Sequence, residues 1–159
     1  MRQNRELVNT TIDQTPFPTR SFILAVVVNA IWINLSEVFR YFAFVMPMMR
    51  TALPGVENAA PMDLGVFMIW GVWDTILVFG ITGFSWLFLD RFGFGTRNAI
   101  AAGTLFWLSV FVILWLGLFN MNLATPKIVA VALPLALVEM LVAAVIVDRI
   151  MRPNTAKDA

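Results

Sequence analysis

Four side chains able to hold or move charge lie inside long apolar stretches: Glu37 with Arg40, then Asp74, then Glu139. Glu37 and Arg40 stand three residues apart, the helical spacing at which a carboxylate and a guanidinium share one face and hold each other ionised. Asp74 and Glu139 have no such neighbour in sequence. One arginine cannot balance three carboxylates, so at least one acid is expected to carry a proton near neutrality, or to ionise only beside a cation. A charge at the bilayer midplane costs about 2.5–3.5 kcal/mol even on lenient insertion scales, so such residues are generally paired, turned inward and functional. The chemistry this suits is proton or cation coupling. Two carboxyls in unlike protonation states would also serve as acid and base toward a lipid-like substrate.

What is missing narrows the field. The chain has no cysteine and no histidine, which removes disulfides, thiol catalysis, haem ligation by histidine and the common zinc and copper sites. Met46, Met48 and Met49 form a soft, polarizable cluster better suited to an adaptable surface than to a metal. There is no nucleophile motif and no phosphate-binding loop, so an enzyme is disfavoured, and no metal or cofactor is expected. A net charge of +1 gives no support for nucleic-acid binding. Anionic lipid headgroups are a sufficient partner for the basic ends of the chain.

The elements that must position these residues are membrane spans. The 159 residues are 60% hydrophobic and 13% charged, with a mean hydropathy of +0.81, far from the balance of a soluble domain. Apolar runs extend from Phe22 to Met49, Leu64 to Leu89, Asn98 to Met121 and Ile128 to Val147, each long enough to cross about 30 Å of hydrocarbon. The expected fold is an all-α integral membrane protein, an antiparallel four-helix transmembrane bundle occupying residues 21–149. Tails 1–20 and 150–159 flank it.

Orientation follows from the basic residues, which are retained on the cytoplasmic side. Arg2, Arg5 and Arg20 precede the first span, Arg91 and Arg97 lie between the second and third, and Arg149, Arg152 and Lys157 follow the fourth; the other side has only Arg50 and Lys127. Both termini are therefore expected in the cytoplasm, with a bacterial inner membrane as the setting. No cleaved signal peptide is expected, because the first apolar run exceeds a secretory h-region.

Depth and helical face agree with a common site. At about 1.5 Å per residue, Arg40 lies about 15 Å below Arg50, Asp74 about 15 Å below Leu64, and Glu139 about 18 Å below Lys127. Asn29, Ser36 and Arg40 fall in one arc with Glu37 beside it, and Gly71, Asp74, Thr82 and Ser85 form a stripe on the second span. Both read as inward faces, with Asn29, Ser36 and Thr82 as cavity-lining candidates. Trp32, Trp73 and Trp107 sit near mid-depth, away from the interfacial belts, and are candidates for the same cavity. Pro47 and Pro134 are expected to interrupt their helices.

The residues suit a small proton- or cation-coupled transporter or channel, with Asp74 and Glu139 as carriers and Glu37 with Arg40 as gate or substrate contact. Four spans enclose little space, which favours a homo-oligomer. Two other readings are open: an accessory or assembly subunit of a larger membrane complex, and the lipid-directed enzyme.

Overall fold

A computed structural model describes residues 17–153, apart from 58 and 60, so Arg2, Arg5, Lys157 and most of both tails lie outside the described residues. The described chain is helical and without strands. Its four helices long and apolar enough to cross a membrane are Thr19–Ala52, Leu64–Phe92, Thr96–Asn120 and Pro126–Met151. Each outruns its apolar stretch at one end or both, because charged pairs such as Asp90 with Arg91 and Asp148 with Arg149 continue the helix beyond the hydrocarbon-compatible segment.

Two spans are composite. The first is α1 (Thr19–Arg40), a π-helical turn (Tyr41–Val45) and α2 (Met46–Ala52). The second is α3 (Leu64–Phe92). The third is α4 (Thr96–Trp107), a second π-helical turn (Leu108–Val112) and α5 (Ile113–Asn120), and the fourth is α6 (Pro126–Met151). Pro47, expected to interrupt the first span, lies in the first turn of α2 directly after the wide π turn, where its missing N–H and bulky ring are most easily absorbed. Pro134 does not interrupt: α6 continues through it. Neighbouring helices make such prolines tolerable inside a bundle, and here the Trp107 indole N–H donates to the Leu133 carbonyl at 2.9 Å, beside the proline.

Helix ends carry their own stop and start chemistry. The Asp63 carboxylate accepts from the Val66 N–H at 3.0 Å to open α3, and Thr125 with Pro126 opens α6, both being N-terminal capping arrangements. Gly93 closes α3 at φ 95, a backbone conformation that costs glycine little. The Asn98 amide then donates to the carbonyls of Phe92 and Gly93 at 2.9 and 2.8 Å.

The fourth span is the hub. It packs against each of the other three and is the most buried of them. Its closest partner is α4, where Ala99 packs with Ala144 and Val147 and Gly103 lies against the backbone of Met140 and Leu141. Small residues at a crossing let two helices approach until their backbones touch. On α3 the buried face runs through Trp70, Asp74, Leu77, Val78, Ile81, Thr82, Ser85 and Leu89. Gly71, placed by sequence on the inward stripe, is exposed instead. It stands one residue past Trp70, and a single residue turns a helix by about 100°.

Asp148 is a fully buried acid that sequence alone reads as an end-of-span charge. It accepts from the Gly95 N–H at 2.7 Å and from Arg152 at 2.6 Å, tying the loop before α4 to the end of α6. Hydrogen bonds to a charged group contribute about 1.5–3 kcal/mol, so Asp148→Ala is expected to speed amide exchange at Gly95 to Asn98 by one to two orders of magnitude, about what that range converts to. Unchanged exchange there would show that the tie carries no weight.

Candidate functional site

The acids and the arginine converge. Glu37 and Arg40 project from the last turn of α1, and Glu139 from the middle of α6; all three are buried, Glu139 completely. Arg40 is gripped by two carboxylates: Nη2 donates to Glu37 and Nη1 to Glu139 Oε2 at 3.1 Å. The Phe111 ring lies 5.4 Å from the guanidinium carbon, a cation–π distance. Ser36 completes the set by donating to Glu139 Oε2 at 2.8 Å.

Glu139 therefore does not stand alone, as its apolar sequence neighbourhood suggested. Both donors meet one oxygen, and Oε1 is buried with no hydrogen-bond partner. One oxygen is fixed in place while the other lacks, among the described residues, the partner that a buried acceptor normally has.

Asp74 belongs to the same electrostatic unit, within reach of Glu37, Arg40 and Glu139, yet it makes no ion pair among the described residues. Its Oδ1 and Nε1 of Trp70, one turn earlier, are buried and close no hydrogen bond of normal geometry among the described residues, although the two side chains interact with each other. The unit thus holds three carboxyls against one guanidinium. Both π-helical turns adjoin it, one beginning directly after Arg40 and the other containing Phe111. Each π turn shifts the register of the residues that follow it, which rotates the upper halves of spans one and three relative to their lower halves.

Beside this unit is a cleft of about 320 Å³, lined from the first span by Glu37, Arg40, Tyr41 and Val45, from the second by Val66, Ile69, Trp70 and Trp73, from the third by Phe111, Leu114, Trp115 and Leu118, and by Met62 from the connection before the second span. Charged groups form one part of the wall and aromatic or aliphatic side chains the rest.

The other candidates divide between cleft and packing. Trp73 lines the cleft. Trp32 donates its indole N–H to the Glu139 carbonyl at 3.0 Å, so with Trp107 it pins the backbone of α6 on either side of Ala136. Asn29 and Thr82 form a separate polar layer: the Asn29 amide donates to Thr82 Oγ1 at 3.0 Å and to the Ala143 carbonyl at 3.4 Å, roughly 10 Å along α1 from Ser36. Trp70, Tyr41, Phe111 and Trp115 were not singled out from sequence. Trp70 had a signal, standing four residues before Asp74; Phe111 had none, since only the bundle order brings it to Arg40.

Among the described residues no group of three or more acidic side chains is arranged to hold a metal ion. Compared with protein-family models, curated proteins and solved structures, the chain has no significant match to any of them.

Proposed function

We propose that this chain is a small proton- or cation-coupled transport protein, built as an antiparallel bundle with both termini on the cytoplasmic side of a bacterial inner membrane. The observation that carries the reading is the charge imbalance: three buried carboxyls share one guanidinium, and two of them each keep an oxygen that closes no hydrogen bond of normal geometry among the described residues. A structural ion pair needs one acid per base. The surplus acids have a use if a proton or a cation occupies the unit in part of a cycle.

In this reading Arg40, held from both sides, is the fixed element and Glu139 the carrier positioned by it. Asp74 is the second carrier, reached across the cleft wall. Short connections between consecutive spans support the antiparallel arrangement, and the basic residues that flank them support the orientation. A second copy would complete a pathway that four spans alone are too few to enclose, which makes a homo-oligomer part of the proposal.

The test is proteoliposomes carrying an internal pH dye, with a pH gradient or a potassium diffusion potential imposed. Wild-type protein is expected to pass protons or monovalent cations, with Glu139→Gln and Asp74→Asn each slowing flux at least about a hundredfold, the lower end of what one positioned proton-transfer group contributes. Equal flux in wild type and both folded variants would remove the reading. Native mass spectrometry of gently extracted protein would show whether an unrelated subunit accompanies it, which would place the chain as an accessory subunit instead.

A further inference from the structure

We propose that the cleft beside Glu37 binds an amphipathic organic amine in its ammonium form, taken up from the apolar phase of the bilayer. Such an amine would be the substrate of the transport proposed above and rests on that reading for its role, but its binding is measurable whether or not transport occurs.

The route to the cleft is the first argument. Ile69, Trp73 and Leu114 line it and are also 72%, 43% and 42% exposed. They belong to apolar membrane-crossing helices, so the side they leave open faces lipid. Whatever enters this way must first dissolve in a bilayer, which demands an apolar body.

The sign of the head group is the second. Anionic ligands usually require a guanidinium with charge to spare. Arg40 has little, being offset by Glu37 and Glu139 and stacked on Phe111. Glu37 lies in the cleft wall and shares Arg40 with Glu139, and Asp74 makes no ion pair among the described residues, so the unit carries more carboxyls than the guanidinium can offset. An ammonium would supply the missing positive charge, and the faces of Tyr41, Trp73 and Trp115 add attraction for a cation that has left water.

Polar satisfaction is the third and is independent of charge counting. Trp70 lines the cleft and is nine-tenths buried, and its indole N–H is turned toward Asp74, the acid of the unit that forms no ion pair among the described residues. An ammonium has only donors, so it matches the carboxylate oxygens of this unit, while the indole N–H is left to Asp74. The volume of about 320 Å³ lies at the small end of ligand pockets, suited to a bicyclic aryl amine rather than a lipid.

Three probes of one shape separate the possibilities: 1-naphthylmethylammonium, 1-naphthylmethanol and 1-naphthoate, titrated calorimetrically into phosphatidylcholine nanodiscs with and without the protein. The ammonium is expected to bind saturably, at least about tenfold more tightly than the alcohol, a difference of one well-placed charge interaction, with the carboxylate weakest. Glu37→Gln is expected to abolish the preference for the ammonium. Trp73→Ala, which leaves the charged unit intact, is expected to weaken ammonium binding and narrow its margin over the alcohol without erasing it, and it stands as the test if Glu37→Gln does not fold. The proposal is overturned if no probe saturates, if the carboxylate binds as well as the ammonium, if folded Glu37→Gln keeps the full preference, or if Trp73→Ala binds like wild type. Saturable ammonium binding without gradient-driven flux would overturn the transport reading alone. Flux lost in Glu139→Gln without ammonium binding would overturn the ligand assignment alone.

Discussion

Arg40→Met is expected to destabilise the bundle by about 3–5 kcal/mol, the cost of removing one partner from a buried ion pair and leaving the other uncompensated. The loss is large because it orphans two carboxylates at once: Glu37 loses its partner on the same helix, and Glu139 loses the donor that fixes Oε2. Ser36 would remain as the only described donor to Glu139. Glu139→Gln should cost far less, since Arg40 keeps Glu37 and a glutamine carbonyl can still accept from Ser36. The double variant Arg40→Met with Glu139→Gln is therefore expected to be more stable than Arg40→Met alone, because one of the two orphaned charges is gone. Reversible SDS unfolding from mixed micelles would check the order. If Arg40→Met unfolds at the same detergent fraction as wild type, the three side chains are not an energetic unit, and the surplus-acid argument loses its base.

That prediction could not have been made from the sequence. The three-residue spacing of Glu37 and Arg40 announces their pairing, and the pairing is there. Glu139 lies about a hundred residues further along, among leucine, valine and alanine, and nothing local indicates a partner. Helical periodicity gives depth and face, and these were enough to put Asn29, Ser36, Glu37, Arg40, Asp74 and Thr82 on inward sides, while Glu139 had a depth and no face. Which inward sides meet is a property of bundle order, which short loops leave open. The same limit hid Phe111. Its position under Arg40 depends on the third span adjoining the site and on a π turn that no residue pattern in Leu108–Val112 announces.

The fold itself was more legible, because crossing a bilayer imposes a length and a composition that four segments satisfy plainly. Details failed where a local rule met a tertiary one. Pro134 has the chemistry of a helix breaker, but a buried helix packed on three sides has nowhere better to put its backbone than in the helix. Gly71 has the right residue type for a close helix contact and the wrong angular position. Gly103, which carries that role, is indistinguishable in sequence from the other glycines.

Gly103→Ala is expected to be among the most damaging substitutions outside the charged unit, although it adds one methyl group. A Cβ at this position would lie 2.7 Å from the Met140 carbonyl oxygen and 3.0 Å from the Leu141 Cα. Those are backbone atoms of the most buried helix, so no rotamer change can relieve the clash, and the two spans must separate. Overpacking of this kind costs about 1–3 kcal/mol, against roughly 1 kcal/mol that alanine normally gains over glycine inside a helix. Gly71 and Gly83, where an added Cβ meets nothing within 4 Å, provide the contrast: Gly71→Ala and Gly83→Ala should be neutral or slightly stabilising. The consequence reaches the site, because Met140 directly follows Glu139. Moving α6 away from α4 at that residue shifts the carboxyl relative to Arg40 and Ser36, whose bonds to it have little slack at 3.1 and 2.8 Å. Gly103→Ala should thus lower both the SDS unfolding midpoint and the flux, while the two control variants lower neither. A Gly103→Ala protein as stable as wild type would mean that the close crossing of the third and fourth spans is not what holds Glu139 in place.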